Sequence, residues 1–278
     1  MSTQANSPGR GLIWLRALTG QDGVIAGAPA TVRMAEAALG DAPASFIAVV
    51  PDPHNRFPRA RNGEVGLEEG WTLAQQVRRI IAADSDSDGA RRPIIALVDV
   101  SSQAYGRREE LLGVHLACAA AADAYASARL AGHAVIALLV GKAMSGAFLA
   151  HGYQANRLLA LDSPEVMVHA MGKQAAARVT RRSVAELEKL GERIAPMAYN
   201  IRAYARLGLL HQLIEGINAD APGPADVQQV RQALLSAIAD TRVGPRDLSS
   251  RLASPAAHAT RGASIEVRRR LAEQWDAA

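Results

Sequence analysis

Apolar residues along the 278-residue chain follow two rhythms. Short continuous runs at 46–50, 94–100 and 134–140, with weaker ones at 157–161 and 166–169, have the length and Val/Ile/Leu content of buried strands. Between them the spacing lengthens to that of a helix. Residues 66–83 carry Leu67, Trp71, Ala74, Val77, Ile80 and Ile81 at helical intervals, and 107–130 read as one long alanine-rich helix with Leu111, Leu112, Leu116 and Ala119 on one side. Strands alternating with helices predict an α/β fold with largely parallel pairing.

After Met171 the strand-like runs stop. Segments 183–193, 198–207, 224–240 and 264–275 have helical spacing, broken at Pro196, Pro222-Gly223-Pro224, Gly244-Pro245 and Pro255. The pattern predicts a single domain over 1–278, with 183–278 a helical tail packed on the core or on a partner. The polar spacers at 84–89 and 219–225 are too short for interdomain linkers. Residues 1–10 are polar and are expected to be flexible.

Composition narrows the class. Hydrophobic residues make up 49% of the chain, enough for a sizeable core. The one cysteine, Cys118, lies inside a helical pattern and reads as core, which excludes intrachain disulfides and cysteine-rich metal sites. No segment reaches membrane-span length and the start lacks a signal-peptide core, so a cytoplasmic location is expected. The net charge of +4 comes from arginines grouped at 56/59/61, 91/92, 178/181/182 and 268/269/270. Such groups are either solvated surface or docking surface for an anionic partner. The few aromatic residues do not interleave with them, which argues against nucleic acid.

Known phosphate loops and paired metal-ligand spacings are missing from the sequence. What remains is 141–152, Gly-Lys-Ala-Met-Ser-Gly-Ala-Phe-Leu-Ala-His-Gly, reached from the run 134–140. A strand passing through a glycine-bearing turn into a helix leaves backbone N–H groups without intrahelical acceptors. Preorganised in this way, they stabilise negative charge developing on a thioester or carboxylate without a metal. The Pro-, Gly- and Arg-rich loop at 51–66 is either a rigid connector or a substrate or partner loop.

Together with Val166-Met167-Val168-His169, this turn resembles those of the ClpP/crotonase superfamily. Aligned with Clp-type peptidases, Met144 takes the nucleophile position and His169 the base position, and a thioether cannot attack a carbonyl. Ser145, one residue on, is expected to be rotated by about 100°. The segment 141–148 is also similar to the Arg-Lys-Ala-Tyr-Gly-Gly-Ala-Tyr turn of biotin-dependent carboxyltransferases. Their upstream Val-Asp-Val-Pro-Gly-Phe-x-x-Gly corresponds to Val98-Asp99-Val100-Ser101-Ser102-Gln103-Ala104-Tyr105-Gly106, with Ser101-Ser102 replacing Pro-Gly. Over 51–69, 102–112, 139–156 and 166–182 the chain most resembles the gamma subunit of biotin-independent malonate decarboxylase.

That resemblance implies a ClpP/crotonase-like spiral of β-β-α units with a helical C-terminal region. It implies a gamma subunit that, with a beta subunit, decarboxylates a malonyl thioester on an acyl carrier protein to acetyl-thioester and CO2. An acyl carrier transferase subunit is a further implied partner. No cofactor is expected on this chain, the thioester arm coming from the carrier protein. Gly146 and Ala147 are the expected backbone donors, Ser145 a hydroxyl at the same turn, and Gly106 a donor or sharp turn from the facing loop. Tyr105 and His169 are candidates for protonating the enolate carbon or orienting the carboxylate, while His169 and His151 also fit satisfied structural histidines. Glu109 and Glu110 would complement the dipole of the long helix. The alternatives are a stand-alone acyl-CoA hydratase, isomerase or hydrolase, which would need a pair of carboxylates over the acyl chain, or a non-catalytic scaffold subunit.

Overall fold

The computed structural model describes residues 8–85 and 89–275. Helix α1 (Gly9–Thr19) precedes the strands β1 (Val32–Leu39) and β2 (Ala42–Val49). Helix α2 (Leu67–Ala83), β3 (Ile94–Val100), α3 (Arg107–Leu111), α4 (Val114–Leu130), β4 (Val135–Met144) and α5 (Ser145–Ala150) follow. Then come β5 (Arg157–Leu161), β6 (Met167–His169), α6 (Lys173–Thr180), α7 (Val184–Arg193), α8 (Ile201–Arg206) and β7 (Gln212–Ile214). The chain closes with α9 (Pro224–Val243), α10 (Ser250–Ala253) and α11 (Pro255–Trp275).

The strands form one seven-stranded sheet in the order β1-β2-β3-β4-β5-β7, with β6 attached to β4. All pairings are parallel except the β1–β2 hairpin, where Leu39 pairs with Ala42 across Gly40-Asp41. Gly40 has φ +65°, as a two-residue hairpin turn requires. The pattern did not predict β1, because its Val-Arg-Met-Ala-Glu-Ala-Ala-Leu has little β-branched content and no clean alternation.

β4 positions the site. Its first half pairs with β5 through residues 136–139, and its end pairs with β6 through 142–144. On the other side Val98 pairs with Leu139 but Val100 with Ala143, so β4 carries two extra residues there. The Asp99 carboxylate fills this bulge. Its Oδ1 accepts from the Lys142 N–H at 3.0 Å and its Oδ2 from the Arg10 N–H at 2.9 Å. A Cβ on Gly141 would sit 2.1 Å from Oδ1, so this glycine admits the carboxylate to the bulge.

Helices α2 and α4 cross closely over the sheet. A Cβ on Gly70 would lie 2.7 Å from the Ala117 backbone, and α4 turns Ala117, Ala121, Ala124 and Ala128 inward. Small residues are needed at such a distance, and this corrects the predicted long helix. Gly113, at φ +85°, separates α3 from α4, and Leu111, Leu112 and Leu116 face outward, being 80%, 56% and 58% exposed. Gly70→Val is expected to cost about 2 kcal/mol in urea unfolding through overpacking against backbone; an unchanged midpoint would contradict the close crossing.

The tail also differs from the pattern. β7 lies within it and extends the sheet beside β5. Helix α9 buries Val230, Leu234, Ala237 and Ile238 in the core, and Pro255 opens α11, which runs on through a kink at Arg261. At the other end, the expected flexibility of 1–10 falls on 1–7, outside the described residues, while Gly9 and Arg10 open α1. The Arg10 guanidinium grips Asp220 at 2.7 and 2.9 Å, and Trp14 donates to the Ala219 carbonyl at 3.0 Å, tying α1 to the segment before α9.

Candidate active site

The chain reverses at Ser145, four residues later than Gly141. Met144 is extended at φ −113°, Ser145 has φ +59°, and α5 follows at once. A left-handed serine is strained, and such strain is retained where surrounding structure over-determines it. Here β6 provides that structure, since Met144 lies in register with His169. Met144 is buried, so the position aligned with a nucleophile holds an inert thioether.

Cavities flank α5 on two sides. One, of about 520 Å³, is lined by Ser145, Gly146 and His169 with Phe148, Tyr153 and Tyr204 among mainly apolar neighbours. The other, of about 490 Å³, brings Gly146 together with Gln103, Glu110, Cys118 and Leu149. Three predicted residues thus meet at one cavity, and Gly146 faces both. Ala147 is fully buried behind them in the first turn of α5. Tyr105 and Gly106 line neither cavity: Tyr105 is half exposed, and Gly106 is the extended N-cap of α3, with Glu109 packed against it.

A different residue of that loop reaches the turn. Gln103 Oε1 accepts the Gly146 N–H at 2.9 Å. Its backbone is fixed by the 51–66 loop, as Val65 donates to the Ser102 carbonyl at 3.0 Å and accepts from the Ala104 N–H at 2.8 Å. The loop is itself pinned by Glu69, a buried carboxylate accepting from Thr31, Asn55 and the Gly66 N–H, and burial raises its pKa. A lone polar residue in a loop carries no periodicity, so sequence pattern gave Gln103 no role.

His169 stacks on Tyr199 with ring centroids 3.9 Å apart, and its Nδ1 lies 3.1 Å from the Met171 carbonyl. Burial lowers its pKa, so it is neutral near pH 7. The Met171 N–H also points at the same Nδ1, at 3.3 Å, so these two contacts are met by opposite tautomers of the ring. Among the described residues no hydrogen bond joins Ser145 to His169, so no nucleophile–base pair forms. His151 is fully buried between the Tyr125 hydroxyl at 3.0 Å and the Leu97 carbonyl at 3.1 Å, a satisfied structural histidine. Lys142 is exposed, and burial pushes the Cys118 thiol up to about 11.

The cavity at Ser145 and His169 has no Asp or Glu in its lining, and its neighbour has only Glu110. What the turn offers is the Gly146 backbone donor, set between the two cavities where β4 runs into α5. The fold is that of the crotonase-like carboxyltransferases. Transcarboxylase 12S shares that fold, at a TM-score of 0.57 with 20% identity, covering 79% of this chain and 37% of the other.

Residues 60–275 match the family model of the malonate decarboxylase gamma subunit, and the chain belongs to that family. It is similar to a chain of a Pseudomonas malonate decarboxylase hetero-tetramer solved with coenzyme A, at 57% identity and a TM-score of 0.92 over 96% of this chain and 100% of that one. A chain of the Pseudomonas MdcD-MdcE hetero-dimer matches at 56% identity and 0.89 over the same shares. The malonyl-S-ACP:biotin-protein carboxyltransferase MADD of Malonomonas rubra is 35% identical over 209 residues, 74% of this chain and 68% of that protein. Among the described residues no helix is long and apolar enough to cross a membrane.

Proposed function

We propose that this chain supplies one half of a cofactor-free decarboxylation site, completed by a beta subunit, in which a malonyl thioester carried on an acyl carrier protein loses CO2. The observation that carries this is the Ser145–Gly146 turn, with the Gly146 backbone donor between two cavities that hold no paired carboxylates. The C–C bond to the carboxylate breaks, its electron pair passes into the thioester to give an enolate, and the α-carbon then takes up a proton.

The Gly146 N–H holds the oxygen on which charge gathers, and the Ser145 hydroxyl adds a donor at the same turn. The apolar lining disfavours the localised carboxylate charge relative to the dispersed charge of the transition state. His169 lines the same cavity as Ser145 and Gly146, and its imidazole, kept neutral by burial, passes a proton from water to the enolate carbon. Arginines at the surface meet the acidic carrier, and an acyl carrier transferase subunit loads its arm. The cytoplasm is the compartment such an assembly would occupy.

Reconstitution with a beta subunit and malonyl-loaded carrier is expected to release CO2 and leave acetyl-carrier. Hydration of an enoyl-CoA, or thioester hydrolysis without CO2, would favour the stand-alone crotonase chemistry instead.

A further inference from the structure

The amide that the proposed reaction needs is already engaged. Gln103 Oε1 takes the Gly146 N–H at 2.9 Å, and a Cβ on Gly146 would lie 3.1 Å from that oxygen and 3.2 Å from the carboxamide carbon. The carboxamide therefore covers the donor as closely as an acyl oxygen would.

The backbone beneath it is held firmly, by the Val65 bridge to Gln103 and by the Tyr105 N–H donating to the Gln103 carbonyl at 2.9 Å. The side chain is not. Among the described residues its Nε2 meets no acceptor, and the Gly146 bond is its one polar tether. It is part-exposed and lines the 490 Å³ cavity, so it has space into which to rotate.

We propose that Gln103 is a displaceable latch on the Gly146 donor. In the ligand-free chain its neutral carboxamide satisfies the N–H and holds the Ser145 turn in its strained form. When the acyl group binds, the substrate oxygen replaces Oε1 on the same N–H, and the Gln103 side chain swings into the cavity between α4 and α5. A latch of this kind keeps the donor aimed and excludes water from it. The exchange of one neutral acceptor for another costs little, and charge developing in the transition state then favours the newcomer.

This rests on Gly146 being an oxygen-binding donor in decarboxylation, and the test separates the two. Wild type, Gln103→Ala, Gln103→Met and Gln103→Glu would each be assembled with the beta subunit and assayed on malonyl-carrier, and amide hydrogen exchange at Gly146 would be followed in the same complexes without substrate. Absence of CO2 release from the wild-type complex would overturn the underlying reading and not the latch. With turnover present, Gln103→Ala and Gln103→Met are expected to lower KM roughly fivefold at similar kcat, the loss of one competing neutral hydrogen bond. Both should speed exchange at Gly146. Gln103→Glu, whose carboxylate binds the N–H more strongly and repels an incoming anion, is expected to raise KM by at least about tenfold. A lower kcat at unchanged KM in both the Ala and Met variants, or unchanged Gly146 exchange, would overturn the latch.

Discussion

Gly146→Pro, assembled with a beta subunit, is expected to turn over malonyl-carrier at least about 100-fold more slowly than wild type, with kcat reduced more than KM is raised. Loss of one oxyanion donor typically costs about 3–4 kcal/mol of transition-state stabilisation. The substitution deletes one N–H, and that N–H stands at the junction where both cavities meet. Gly146→Ala is the control, since it keeps the N–H and the nearest atoms to its Cβ are those of the flexible Gln103 carboxamide, at 3.1 Å and beyond. The Ala variant should stay within a few-fold of wild type. Co-purification with the beta subunit and a thermal melt establish that each variant has assembled. Equal turnover of assembled Pro and wild-type complexes would remove Gly146 from the chemistry.

His151 gives the second large effect, on stability. Complete burial holds its pKa at about 4, below the ordinary 6.5. The unfolded chain therefore binds a proton more readily than the folded one. Stability is fully present above pH 6.5, falls as the pH drops through the window from 6.5 to 4, and changes no further from this group below it. Across that window the loss is about 3 kcal/mol, at about 1.4 kcal/mol per pH unit. His133, His169 and His211 are shifted in the same direction by burial and add to the slope. His151→Gln preserves a donor for the Leu97 carbonyl and an acceptor for the Tyr125 hydroxyl but cannot titrate. Urea unfolding at pH 7 and at pH 4.5 should show a markedly smaller difference for His151→Gln than for wild type. Equal differences would mean that His151 is not the buried neutral group described.

What the sequence disclosed follows from how each signal arises. β3, β4 and β5 were legible because central parallel strands are buried on both faces and read as unbroken apolar runs. β1 was hidden by its alanines and two charged residues, and β7 by having only three residues. The leucines of α3 and α4 misled because size was read as a mark of the core, whereas the contact of Gly70 with Ala117 admits only small side chains.

At the site, the strand–turn–helix was legible but its turning point was not. Gly141 suggested the turn because glycine marks bends, yet it serves the Asp99 bulge, and the reversal falls on a serine at positive φ. Ser145, Gly146 and His169 converge because β4 and β6 pair in register, a non-local fact that spacing cannot show. Tyr105 and Gly106 belong to the same loop as Gln103, and Gln103 is the residue of that loop whose side chain reaches Gly146.

The central claim, a half-site that a partner completes, is tested most directly by titrating a beta subunit into a fixed amount of this chain while measuring CO2 release from malonyl-carrier. No release is predicted from the chain alone, with activity rising as partner is added and levelling at one partner per chain. Full activity from the isolated chain would contradict it.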